Sequence, residues 1–510
     1  MSRYSRRSFL DASLAGATGL LLGPAARAGA GTPVAAPAGA PTEALALLSI
    51  REASVALKAR KLSPLELTRN CLARIEAFNP ALNAFITVTA ESALAQAAQA
   101  ESEIARGSWR GPLHGIPLAL KDLIDTAGVR TTSACAVFKD RIPDADAAVV
   151  ARLRAAGAVL LGKLNMQECA YGGTSVPSYY GRVCNPWDLE RITGGSSGGA
   201  AAAVAAGLCY GALGSDTGGS VREPAAFCGI VGLKPTYGRV SIRGVMPLAA
   251  SLDHIGPMTR TVADAAIMLA AIAGYDPADA TSVDRPEGSY TVSPGPAGAS
   301  GARLRIGLPR EFFFAELDPE IQAATDQAIG VLRSLGAQFR GVPLEVSTDR
   351  TVVRAEAYAA QAEFIVRSPE LYLPETLSKL RSGADIDAPG YIRARRALDQ
   401  HRRSVVQVFS AVDLLLTPTT PVLPIRASDY PATFEGAVAL DGSLLRNTRP
   451  FNLSGLPTLS MPCGISRAGL PIGLQLSGPP WAEQRVLAVA QAFEQATDWH
   501  ARRPPRPFTG

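Results

Sequence analysis

The chain of 510 residues is 47% hydrophobic and 19% charged, the composition of an ordinary soluble globular protein with ample core, and its length admits one large domain or two to three smaller ones. Its formal net charge of +5 falls to +2 without Arg3, Arg6, Arg7, Arg27 and Asp11, all within the first 28 residues, so charge gives no argument for nucleic-acid or membrane binding. The seven cysteines (71, 135, 169, 184, 209, 228 and 463) show no CxxC spacing and no grouping with histidine, which excludes the ordinary zinc signatures and leaves mostly buried thiols as the expectation.

In chain order, Ser5-Arg6-Arg7-Ser8-Phe9-Leu10 resembles a twin-arginine export motif. It is followed by an apolar run too short to span a membrane and by the small-x-small pattern Ala26-Arg27-Ala28. Residues 1–28 are therefore expected to be a removable signal for a bacterial periplasmic or secreted protein with no stable membrane insertion, and residues 29–43 a flexible leader. An amphipathic helix is predicted over 45–60. Ser63-Pro64-Leu65-Glu66 is a capping box for a second helix, which Asn79-Pro80 should stop near Phe78. A third helix covers 90–106. The apolar run Ile116–Leu120 then suits a buried strand that ends in Lys121, although a lysine at a strand end ordinarily points to solvent.

Residues 146–157 predict a helix and 159–161 a strand. Gly157 to Lys163 imitates a phosphate-binding loop, but Leu164 stands where a magnesium-ligating Ser or Thr belongs, and the glycines bracket a strand, so nucleotide binding is rejected. Further elements are an Ala-rich helix over 261–273, a Pro/Gly/Ser-rich surface excursion over 283–302, a strand over 303–308 and a helix capped by Asp318-Pro319. A helical stretch over 350–411 is divided by Pro369, Pro374 and Pro389, and a core strand over 414–418 precedes a final helix near 482–497. The alternation argues for an α/β fold, a single large domain over residues 44–500 with a mixed twisted sheet covered by helices on both faces, followed by a Pro/Arg-rich tail over 501–510.

Chemistry concentrates in two glycine-rich loops joined by an alanine-rich, helix-favouring segment: Thr193-Gly194-Gly195-Ser196-Ser197-Gly198-Gly199 and Gly214-Ser215-Asp216-Thr217-Gly218-Gly219-Ser220-Val221-Arg222. Serines among closely approaching backbone N–H groups suggest a nucleophile beside an oxyanion site. The histidines (114, 254, 401 and 500) lie in no context typical of a triad base. Although Gly194 to Gly198 matches G-x-S-x-G, the preceding segment 188–193 is a poor apolar strand. The base is therefore something else, and a lysine serves if burial or positive charge lowers its ordinary pKa of about 10.4.

Lys121 after its strand, the Gly-Gly-Ser-Ser-Gly-Gly loop at 194–199 and Gly-Gly-Ser-Val-Arg at 218–222 resemble the amidase signature family. So do Gly162-Lys163-Leu164-Asn165-Met166, the segment 229–236 and Gly469–Gln475, with a core motif region over about 110–260 and a variable helical pocket region over about 310–450. Thr193 and Leu123 depart from frequent family wording, where proline and asparagine are common. The resemblance implies the amidase signature fold and a Ser-cisSer-Lys apparatus. Ser220 would attack, Ser196 would bridge from an unusual cis peptide, and Lys121 would be the final base. Backbone N–H groups of Thr217, Gly218, Gly219 and Ser220 would hold the oxyanion. Asp216 and Arg222 are expected to pair in support of the loop, and Ser197 to shape it. Phe138, Tyr171, Tyr179 and Tyr180 are candidates for the substrate pocket.

The function expected is amide hydrolysis through an acyl-enzyme on Ser220, releasing acid plus ammonia or amine, with esters or carbamates as further substrates. One alternative is the amidase subunit of a glutamine-dependent tRNA amidotransferase, which the export signal fits poorly. Another is a non-catalytic amide-binding protein on the same fold. The expected partners are a small-molecule amide and a second copy of the chain in a homodimer, with no nucleic acid, no cofactor and no metal.

Overall fold

A computed structural model describes residues 42–286, 288, 290 and 304–505. The expected export signal, most of the leader, the middle of the 283–302 excursion and the end of the tail lie outside the described residues. Thr42 already belongs to the fold, since its N–H donates to Asn70 Oδ1 at 2.7 Å just before the helix Glu43–Leu47.

Short runs, apolar and small in the centre of the fold and more polar at β5 and β10, become the strands, in chain order β1 (Phe85–Val88), β2 (Pro117–Lys121), β3 (Val159–Leu164), β4 (Cys184–Asn185), β5 (Asp188–Ile192), β6 (Gly211–Ser215), β7 (Val231–Lys234), β8 (Ile255–Thr259), β9 (Arg305–Leu308), β10 (Gln338–Gly341), β11 (Leu414–Pro418), β12 (Thr458–Ile465) and β13 (Pro471–Ser477). Eleven form one sheet in the order β1-β3-β2-β6-β8-β7-β12-β13-β11-β9-β10, and β4 and β5 make a separate ribbon. Strands β3, β2 and β6 run parallel, as do β11, β9 and β10, while the strands between them pair antiparallel. The result is an α/β domain built on a large mixed sheet flanked by helices.

Every residue of β2, β3, β6, β7, β8, β11 and β13 is buried, whereas the edge strands β1 and β10 are partly open. Such central strands, covered on both faces, read as nearly continuous apolar runs. One hydrophobic core joins residues from Ile50 to Phe493. At Gly162, φ is +148° and an added Cβ would stand 2.0 Å from the Thr87 carbonyl oxygen of β1, so only glycine lets β3 and β1 approach this closely. Lys163 is buried in β3, where its ammonium donates to Ile124 O and, at 2.8 Å, to Thr131 Oγ1. This lysine ties two segments together.

Several local expectations are adjusted. The helix expected over 45–60 is two helices, Glu43–Leu47 and Ile50–Lys58, because Ser49 and Glu52 form a capping box that restarts it. Asn79-Pro80 does not stop the next helix. It runs from Pro64 to Leu82, and Asn83 caps it in the left-handed conformation at φ 50°. Pro374 and Pro389 sit in the first turns of Pro374–Arg381 and Ala388–Ser404, where a missing N–H costs no helical bond. The polar segment 188–192 is a strand after all, a surface ribbon paired with β4.

Candidate active site

Strands β2 and β6 are parallel neighbours, with Leu120 in register with Leu213, so the residues at their C-terminal ends emerge side by side. Those ends carry Lys121 and Ser215. The loop over 193–197 reaches the same place before the helix Gly198–Ala205, and the loop over 216–221 leaves β6 to enter the helix Arg222–Cys228. Lys121 is fully buried, and its Nζ donates to Ser196 Oγ at 2.7 Å and to Ser215 Oγ at 2.9 Å. Burial pulls this amine down to about 7, against the opposing pull of Asp216 and Asp253.

The peptide bond between Gly195 and Ser196 is cis. The Gly195 N–H donates to Glu223 Oε2 at 2.7 Å, Ser197 Oγ donates to the Ser215 carbonyl at 3.2 Å, and the Gly198 N–H donates to Ser175 Oγ at 3.2 Å. Glu223 is buried with no cation in contact among the described residues, and burial pushes its carboxyl well above the usual range despite the Gly195 bond.

The second loop is organised by Asp216. Its carboxylate accepts from the N–H groups of Gly219 at 2.9 Å and Val221 at 3.1 Å, from Arg222 Nη2 and Nε, both at 3.0 Å, and from Asn452 Nδ2 at 2.7 Å. Burial opposes ionisation of Asp216, but the Arg222 charge and hydrogen bonds overcome it and hold the carboxyl below its ordinary range. Arg222 also donates to Thr448 O at 2.9 Å and Asn452 Oδ1 at 2.7 Å. Gly219, at φ +135°, has Thr448 Oγ1 2.0 Å from where a Cβ would be, so no side chain fits there.

One expected oxyanion donor is corrected by this geometry. The Gly219 N–H is taken by Asp216, which leaves the amides of Thr217, Gly218 and Ser220 without a hydrogen bond among the described residues. The Ser220 hydroxyl likewise makes no hydrogen bond there, and Ser220 lines a cavity with Thr217, Gly218 and Tyr171. The Ser220 carbonyl accepts from the Ser197 N–H at 3.3 Å, which fixes the two loops against each other.

Of the aromatic pocket candidates, only Tyr171 lines this cavity. Phe138 instead packs edge-on against Phe364 with centroids 4.8 Å apart, Tyr180 lies under Arg130, and Tyr179 is exposed and meets Tyr180. Sequence reasoning missed Ser215, Glu223, Asp253, Asn452 and the cavity residues Arg350, Asp441 and Arg449. Ser215 stood inside the quoted loop, adjacent to Asp216, and was the only one carrying a local signal. All seven cysteines are free thiols, six of them buried. Among the described residues no cluster of three or more His, Cys, Asp or Glu side chains could hold a metal ion, and no helix is long and apolar enough to cross a membrane.

The model of the amidase family matches residues 66–487. The chain is 45% identical over 485 residues to a subunit of the glutamyl-tRNA(Gln) amidotransferase of Geotalea daltonii, a match covering 89% of this chain and 98% of the relative. The same subunit from Thermotoga maritima superposes with a TM-score of 0.72 at 34% identity, over 88% of this chain and 95% of that one. A 6-aminohexanoate cyclic dimer hydrolase in complex with substrate superposes with a TM-score of 0.82 at 30% identity, over 91% of this chain and all of that one.

These relatives correct two expectations. A relative that is part of an enzyme named for glutamyl-tRNA(Gln) overturns the expectation of a chain with no nucleic-acid partner, because the substrate in that name is itself an aminoacylated RNA. It overturns the periplasmic or secreted destination as well, since aminoacylated tRNA is made and used inside cells, and the twin-arginine pattern of residues 5–10 lies outside the described residues. With its family match spanning most of the described fold and its relatives near 45% identity, the chain belongs to the amidase signature family and is a hydrolase acting on carbon–nitrogen bonds.

Proposed function

We propose that the chain is the amide-cleaving subunit of an amidotransferase, hydrolysing glutamine through an acyl-enzyme on Ser220 and delivering the ammonia to partner subunits that hold glutamyl-tRNA. The observation that carries the chemistry is the 2.7 Å bond from a fully buried Lys121 amine to Ser196 Oγ, beside a loop whose Ser220 lines the cavity. The amidotransferase assignment is supported by relatives of that name along nearly the whole chain.

In this reading the lone pair of neutral Lys121 accepts the Ser196 proton while Ser196 Oγ accepts the Ser220 proton, and Ser220 Oγ forms a bond to the carboxamide carbon. The oxygen that gains charge is met by the free amides of Thr217, Gly218 and Ser220, each donor of this kind contributing about 3 kcal/mol in comparable sites. Collapse breaks the C–N bond as the relay returns a proton to the leaving nitrogen. Water then attacks the ester by the same relay, giving the acid and free Ser220. Asp216, Arg222 and Ser197 act by holding the two loops in place.

The test is release of ammonia from glutamine by the full chain, with labelling by a fluorophosphonate probe. Ser220→Ala is expected to abolish both, and undiminished labelling of that variant would refute the assignment of Ser220. A second reading, a self-sufficient hydrolase of small amides, is favoured by the likeness to the cyclic dimer hydrolase at a TM-score of 0.82. Ammonia release by the isolated chain from simple aliphatic amides as readily as from glutamine would select it.

A further inference from the structure

Two guanidinium groups face the cavity at Ser220 with no carboxylate in contact among the described residues. Arg449 Nε lies 3.8 Å from where a Gly218 Cβ would be, next to the free amides, and its side chain makes one long hydrogen bond there, of 3.4 Å to the Asp441 carbonyl. Arg350 lines the same cavity, and its Nε is shielded from water without a hydrogen-bond partner among the described residues. The two cations act on each other, since Arg350 adds to burial in drawing Arg449 down to about 10.

The acids nearby are already committed. Asp441 Oδ2 accepts from Lys379 Nζ at 2.6 Å and its Oδ1 from the Gly173 N–H at 2.9 Å. Asp349 accepts from the N–H and hydroxyl of Thr351, at 2.8 and 2.7 Å, at the start of the helix Thr351–Arg367. Leu248, Leu252 and Val353 supply apolar wall. Two like charges held together in such a place are unfavourable unless an anion joins them, and planar guanidinium matches carboxylate geometry in particular.

We propose that Arg449 and Arg350 bind a carboxylate on the acyl side of the substrate, so that this site takes amides of short acids bearing a second, anionic group. The inference rests on the reading of the Ser220 cavity as the amide site. The carboxylate belongs either to an amino-acid amide, as the α-carboxylate of glutamine, or to the far end of a dicarboxylic monoamide.

The experiment measures binding to the full chain carrying Ser220→Ala by calorimetry, using L-glutamine, succinamate and butyramide. Butyramide is succinamate with a methyl group in place of the carboxylate. At least one carboxylate ligand is expected to bind about 10- to 100-fold more tightly than butyramide, as for hydrogen bonds to charged groups. Whichever of glutamine and succinamate binds more tightly identifies the source. The preference is expected to shrink to about threefold or less when Arg350→Gln and Arg449→Gln are added. It should also weaken on raising salt in the arginine-intact protein, an arm that needs no arginine variant.

Equal binding of all three compounds, failure of all three to bind, or a preference that survives both arginine replacements overturns the proposal. Binding to Ser220→Ala does not require Ser220 to attack anything. Loss of the charge preference therefore fails this inference, while wild-type ammonia release by Ser220→Ala fails the nucleophile assignment.

Discussion

Lys121 and Arg222 are both wholly shielded from water, on either side of the loop that carries Ser220, and they meet opposite surroundings. Arg222 enters the helix Arg222–Cys228 with Asp216 against its guanidinium at 3.0 Å, and every further bond it makes is to an oxygen. Lys121 touches two hydroxyls and no carboxylate among the described residues, and burial draws its amine down to about 7. Desolvation is thus offset by a built-in counter-ion at Arg222, and at Lys121, with no carboxylate in contact among the described residues, it draws the amine down. The side chains differ as well as their partners, since a guanidinium stays protonated in a protein while a buried ammonium gives up its proton readily.

That contrast is broken most severely at the amine. Lys121→Met removes the acceptor and is expected to lower kcat by about 10²- to 10⁴-fold with the fold retained, as steady-state kinetics and circular dichroism will show. Arg222→Met attacks the other side. It leaves Asp216 buried without its cation and should cost about 3–5 kcal/mol in denaturant unfolding. Replacing Asp216 by Asn in the same chain should recover part of that loss, and no recovery would show that the pair is not what the charge needs.

Smaller changes sharpen the picture. Ser215→Ala deletes one of the two hydroxyls on Lys121 and should lower kcat/KM by an amount equivalent to about 1 kcal/mol, roughly fivefold. Glu223→Gln should be the mildest of these changes in denaturant unfolding, because glutamine still accepts from the Gly195 N–H and lacks the charge that burial disfavours at this position. A large loss in that variant would mean that Glu223 is ionised in the native protein.

The parts legible in the sequence are those whose cause is local. The run Ile116–Leu120 reads as a buried strand because both of its faces are covered, and Ser63-Pro64 starts its helix through a capping box that needs only four residues. The two glycine-serine loops could be recognised because their spacing is itself the signal. Partners that arrive by tertiary packing leave no such mark. Asn452 reaches Asp216 from 236 residues away, and Thr448 closes over Gly219 from the same distant segment. Of the four aromatic pocket candidates Tyr171 lines the cavity, while Phe138 is engaged elsewhere for the same reason, packing on Phe364 of a later helix. Nothing near Arg350 or Arg449 in the chain tells that they share one wall. The helix through Pro80 shows the converse, a local stop signal outweighed by the packing of one further turn.

The central claim is that Lys121 works as a neutral amine, and the kcat/KM profile for glutamine against pH tests it most directly. Protonation as pH falls through about 7 removes the proton acceptor, so the rate should drop tenfold per unit on the acid side and level off above about pH 8. A profile that stays flat down to about pH 5, in an enzyme shown by circular dichroism to remain folded, would contradict it.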